Sequence, residues 1–299
     1  MPFNQRFHLE ALFLIEEKTI VDWVKASPND VQQEFREAIH TILSGIANEP
    51  DLRATMVIKG GILLAIRYQS HRYTKDIDFS TSQLLDDIDK DEITKKLNES
   101  MAVISEQLDY DMECRVQSCR IQPANKPDAQ FPSIKMKIGY AHKSDPKHKR
   151  LMTGHCPTTV DIDFSLNEMM PNIEDFNIGG GEIISAYALT DLLAEKIRSV
   201  LQQIKRERQR RQDIFDLFLL LEKFPDLDHH ERVLVKNSLI QKARSREIEP
   251  QRESLRDTEI YDRSKAQYHT LADEIEGELP DFDEIYTIVK AFYESLPWD

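Results

Sequence analysis

The chain has only three cysteines, Cys114, Cys119 and Cys156, no apolar stretch of 18 residues or more, and far fewer bases than acids. Each shortage excludes something. An odd number of cysteines without metal-site spacing implies no disulfide framework and suits a reducing compartment. Without a long apolar run there is no membrane-spanning helix. The N-terminal MPFNQRFHLEALFLIEEK lacks a basic start, and acidic residues interrupt its apolar run early. It does not read as a signal peptide, so a cytoplasmic location is expected. With 39 basic and 53 acidic residues, the net charge is −14, which excludes a globally basic nucleic-acid binder. Two local basic runs stand out against that background. One is Lys143, Lys147, Lys149 and Arg150; the other is Lys205, Arg206, Arg208, Arg210 and Arg211. Taken alone, each reads first as a solvated turn or helix face.

What is present suffices for real cores: 40% of the 299 residues are hydrophobic. The length exceeds what one core usually serves, so two domains, or one with a large extension, are expected. Residues 1–56 read as an N-terminal helical segment packed on the core. Phe7, Leu9, Leu12, Phe13 and Ile15 recur at helical spacing, as do Phe35, Ile39, Ile42, Leu43 and Ile46. Asn48 and Pro50 end that stretch. Residues 84–109 carry a second helical stripe, from Leu84 to Leu108. Between 111 and 164 several runs alternate as strands do, notably Ile134 to Ile138 and Val160 to Phe164. Gly179-Gly180-Gly181 marks a domain boundary. Residues 57–178 are then the core, and 182–299 a helical domain.

The chemistry concentrates between Lys59 and Asp78. Gly60 and Gly61 open a short apolar helix, where backbone approaches a ligand closely and helix-start amides point at phosphate. Lys59 flanks the turn. Asp76-Ile77-Asp78 follows on a predicted strand, whose period of two puts both carboxylates on one face. Paired carboxylates repel unless a cation neutralises them, and oxygen donors of this kind suit magnesium, which also binds substrate phosphates. A third carboxylate on a neighbouring strand allows two ions about 3.5–4 Å apart, as in-line displacement at phosphorus requires. Asp161 and Asp163 are the two candidates.

KGGILLAIRYQSHRYTKDIDF resembles the AbiEii/AbiGii toxin family of nucleotidyltransferases, which includes the MenT toxins and belongs to the polymerase-β-like superfamily. The resemblance implies an α+β fold: a mixed sheet flanked by helices, with a C-terminal helical bundle. Arg72 and Thr74 match the family's Arg-x-Ser/Thr before the aspartates, and with Lys59, Gly60 and Gly61 they are the implied nucleotide-binding set. VDIDFSLNE resembles the strand carrying the third aspartate, and its register favours Asp163 over Asp161. LTDLLAEKIRSV and RRQDIFDLFLL resemble helical motifs that make Lys196 and Asp213 functional. The resemblance implies a magnesium-dependent toxin of a toxin–antitoxin or abortive-infection system. Such a toxin transfers nucleotides from a nucleoside triphosphate to RNA, the tRNA 3′ end, and has a cognate antitoxin. The alternatives are a nucleotidyltransferase that modifies a small molecule or a protein, and a non-catalytic nucleotide-binding protein. Geometry adds a condition. On one straight helix, Lys196 and Asp213 would lie about 25 Å apart at 1.5 Å per residue. To serve one site, the chain must break within the charged run 205–212 and return.

Overall fold

The computed structural model describes residues 19–124, 126 and 129–298. Three helices lead in: α1 (Ile20–Lys25), α2 (Asp30–Asn48) and α3 (Pro50–Thr55). Each start has a local cause. Thr19 and Asp22 form a reciprocal capping box on α1, and the Asn29 side chain accepts from the Gln32 amide at the start of α2. Pro50 does not end the helical stretch; it opens α3, where its fixed φ is an advantage at the first turn. The apolar recurrence Phe7 to Ile15 lies outside the described residues.

A seven-stranded sheet follows. In chain order come β1 (Val57–Lys59), α4 (Gly60–Arg67), β2 (Asp76–Ser80), α5 (Lys90–Gln107), β3 (Met112–Gln122), β4 (Ser133–His142), α6 (His148–Met152), β5 (Thr159–Ser165), β6 (Ile173–Gly179) and β7 (Glu182–Tyr187). Across the sheet the order is β3-β4-β5-β2-β1-β7-β6. The pairs β2–β5 and β1–β7 are parallel, and the others antiparallel. Alternation decides the faces. Ile58, Ile77, Phe79, Ile134, Met136, Ile162 and Phe164 are all buried, and they join α2 and α5 in one core. Burying a Phe stabilises by about 1.5–3 kcal/mol relative to exposure, so the in-register pair Phe79 and Phe164, with Ile77 and Ile162 beside it, helps anchor β2 to β5. Helix α5 starts later than the Leu84 stripe suggests. Asp89 accepts from the amides of Asp91 and Glu92 and caps it, and Leu84 remains exposed.

The triglycine has a different role from the one its composition suggests. Gly179, Gly180 and Gly181 have φ of 125°, 60° and 85°, and they turn β6 into β7. Such angles favour glycine, so a tight hairpin uses the run and the sheet continues one strand further than predicted. That strand, β7, pairs with β1. Helices α7 (Leu189–Gln202), α8 (Arg211–Lys223), α9 (His229–Arg244), α10 (Thr258–Lys265) and α11 (Phe282–Glu294) complete the chain. The architecture is a mixed sheet flanked by helices, α+β. Buried Lys242 on α9 ties the elements together: it lies 3.2 Å from Asp191 of α7 and 4.3 Å over the Tyr187 ring of β7.

Candidate active site

The open face of the sheet carries two rows of charge. In the first, Lys135 of β4, Asp163 of β5, Asp78 of β2 and Lys59 of β1 are successive register partners. In the second, Lys137, Asp161 and Asp76 are partners in the same way. The opposite face of these strands is the buried apolar one, so the sequence alternation that forms the core also lines up the carboxylates. All four candidate aspartates therefore share one face. Lys135 is ion-paired with Asp163, and Lys137 lies 2.9 Å from Asp161.

Gly60 explains itself at this point. Its φ is 74°, and a Cβ there would sit 2.1 Å from Oδ2 of Asp78. Only glycine allows the chain to pass this carboxylate and enter α4. A Cβ on Gly61 would sit 2.9 Å from the Thr74 side chain, so Thr74 closes the turn from behind. Burial pushes Asp78 up to about 6; Asp163 and Asp76 add to this, while Lys59 and Lys196 oppose it. Asp76 is raised too, first by burial and then by Asp161. Lys59 thus does more than flank a turn: it is the cation beside Asp78.

Lys196 and Asp213 are brought together. Helix α7 ends at Gln202 and α8 begins at Arg211, so the chain breaks in the charged run and returns. Lys196 Nζ lies 3.3 Å from Asp213 Oδ1, and it donates a shorter bond, 2.6 Å, to Asp216 Oδ2. Asp216 is fully buried and also accepts two bonds of 2.9 Å from Arg72. Burial alone would raise the Asp216 carboxyl; Arg72 and Lys196 outweigh it and hold it down at about 2. Arg72 spends its guanidinium on this clamp, joining the segment before β2 to α8. Sequence reading passed over Asp216, although its place three residues after Asp213 on one helix was a signal. It also passed over Lys135 and Lys137, whose alternation complements that of Asp161 and Asp163.

The residues present fit a hard divalent cation. Asp163 Oδ1 is buried without a hydrogen-bond partner among the described residues, and the Asp78 carboxyl is crowded by like charge. Oxygen donors at 76, 78 and 163 match magnesium chemistry. Among the described residues no three His, Cys, Asp or Glu side chains form a ready-made metal cage. Asp161 and Asp163 are instead drawn toward the lysines of β4.

The basic run 205–211 is largely committed within the molecule. Lys205 lies 2.5 Å from Glu247, Arg211 2.7 Å from Glu274, and Arg210 3.6 Å from Asp213. No helix among the described residues is long and apolar enough to cross a membrane.

Residues 41–288 match the family described as nucleotidyl transferase AbiEii toxin, type IV toxin–antitoxin system. No curated protein matches the sequence. The crystal structure of JHP933 from Helicobacter pylori is similar at a TM-score of 0.50 and 13% identity, covering 90% of this chain and 93% of that one. MenT4, a nucleotidyltransferase toxin from Mycobacterium tuberculosis, is similar at 0.46 and 14%, covering 93% and 97%. At 13% identity the likeness to JHP933 speaks for the fold alone; the family match, which spans most of the chain, speaks for the activity. The chain belongs to the AbiEii family of nucleotidyltransferase toxins of type IV toxin–antitoxin systems.

Proposed function

We propose that this protein transfers a nucleotide from a nucleoside triphosphate to the 3′ end of an RNA, tRNA in particular, with magnesium held by Asp76, Asp78 and Asp163. The observation that carries the reading is the in-register placement of Asp78 beside Asp163 on parallel strands, with Gly60 against the Asp78 carboxylate. When bound, magnesium would neutralise charge on the triphosphate and polarise its phosphorus. The remaining work falls to side chains. The phosphates lie over Gly60 and Gly61 at the start of α4. Lys196, fixed by Asp216 and Asp213, and Lys59 offset negative charge facing Asp78. The acceptor hydroxyl attacks the α-phosphorus in line, pyrophosphate leaves, and the hydroxyl proton passes toward Asp163. Positioning and electrostatics supply the catalysis, as is usual in phosphoryl chemistry. The type IV family implies a cognate antitoxin as partner.

The test is incubation with total RNA, magnesium and each labelled triphosphate, comparing wild type with Asp76→Ala. Labelled RNA from wild type and none from the variant supports the reading. Label on a small molecule or protein instead would assign a different acceptor class. Wild type that binds nucleotide and transfers it to nothing would sink the proposal.

A further inference from the structure

The charge rows do not stop at β4. Arg120 of β3 is the register partner of Lys135, and Ser118 that of Lys137. Period two places Lys135, Lys137, Gly139 and Ala141 on one face of β4. On that face Ala141 packs against Leu151 and Cys156. Leu151 belongs to α6, so α6 sits on the same side of the sheet as the carboxylates. It carries Lys149 and Arg150, both exposed. The basic run that reads in sequence as a solvated turn therefore stands at the far end of a strip that begins at Asp163.

The strip is open and partly uncommitted. The Lys135 and Lys137 side chains are 49% and 56% exposed, although each faces an aspartate. The neighbouring lysines are used internally: Lys143 pairs with Glu106 at 2.6 Å and Lys147 with Glu34 at 2.9 Å. Among the described residues no carboxylate pairs with Arg120, Lys149 or Arg150. In a chain of net charge −14, a polyanion needs a local positive field to approach at all.

We propose that the face built by β3, β4 and α6 is the landing surface for the acceptor RNA. Arg120, Lys149 and Arg150 contact its phosphates, and the strand runs past Lys137 and Lys135 so that its terminal hydroxyl reaches Asp163. This rests on the RNA reading above and assigns it a surface distinct from the 205–211 run. Contacts of this kind set affinity and its salt dependence, not base preference.

The test uses the full chain and bulk deacylated tRNA carrying a 5′ fluorophore, titrated by anisotropy between 50 and 200 mM salt, roughly the range over which phosphate contacts show themselves. The variants are Arg120→Ala/Lys149→Ala/Arg150→Ala and, for comparison, Arg206→Ala/Arg208→Ala. The triple variant is expected to bind on the order of tenfold more weakly and to lose about two to three units of log–log salt slope. Its KM for RNA rises, while its KM for nucleotide and its kcat at saturating RNA stay at wild-type values. The Arg206/Arg208 variant behaves as wild type. A triple variant that binds and labels RNA like wild type overturns the surface and leaves the acceptor reading standing. So does an Arg206/Arg208 variant that alone loses binding. Wild type that neither binds nor labels RNA overturns the acceptor reading, and this surface with it.

Discussion

At the scale of single residues, Asp216 shows how burial changes the weight of a charge. It is enclosed, with Arg72 and Lys196 both bonded to it. Removing one partner of such a group leaves the others buried without an anion, which costs about 3–5 kcal/mol. Asp216→Ala should therefore lower stability by about that amount in urea denaturation. Asp213→Ala should lower it much less, because Lys196 keeps Asp216 and the Asp213 side chain retains 14% of its exposure. Equal losses in the two variants would contradict this ranking. The pair also shows what sequence can convey about a site. Asp76, Asp78 and the two candidate aspartates were legible because alternation on a strand is a local pattern. The pairs that Lys196 and Arg72 make with Asp216 were not, because they join positions 20 and 144 residues apart, and tertiary packing chooses among the available acids.

At the scale of elements, side chains at the boundary decide where a helix starts: Asn29, Asp89 and Asp228 accept from first-turn amides, and Asp89 sets a later start for α5 than the Leu84 stripe suggests. Pattern alone also misplaces a boundary elsewhere. At Gly179-Gly180-Gly181 flexibility serves a hairpin as well as a linker, and only the pairing of β6 with β7 settles which. Helix α2 offers a measurable consequence of packing. Burial lowers the pKa of its His40 to about 4, and Nδ1 lies 2.9 Å from the Tyr110 hydroxyl. The folded chain keeps the imidazole neutral while the unfolded chain protonates it near the ordinary value. The unfolded state thus binds more protons between about pH 6.5 and 4, and stability is lost as pH falls through that window. The full effect is on the order of 3 kcal/mol. The Asp78 carboxyl, held at about 6, acts in the opposite sense, and it is common to both chains in the comparison. Denaturation of wild type and His40→Gln at several pH values should show a difference that narrows as pH falls from 6.5 to 4. A constant difference would contradict the buried neutral histidine.

At the scale of the whole molecule, the sheet and the helices that follow it share one apolar cluster, running from Ile20 to Leu296. The two tryptophans report from opposite ends of the chain, Trp23 in α1 and Trp298 after α11, and both pack against that cluster. Single-tryptophan variants, Trp23→Phe and Trp298→Phe, should melt at coincident midpoints by fluorescence. Separate midpoints would mean that the helical part unfolds independently. The shared core also holds Lys196, delivered by α7, in electrostatic reach of Asp78 on β2.

In the proposed reaction Asp78, in register with Asp163, supports attack at the α-phosphorus of a nucleoside triphosphate. The most direct measurement gives the protein total RNA, magnesium and triphosphate labelled in parallel at the α or the γ position, and follows label on acceptor for wild type and Asp78→Asn. The expected outcome is that α label reaches RNA, γ label does not, and Asp78→Asn transfers neither while retaining wild-type circular dichroism. Transfer of γ label, or α transfer by Asp78→Asn at the wild-type rate, would contradict it.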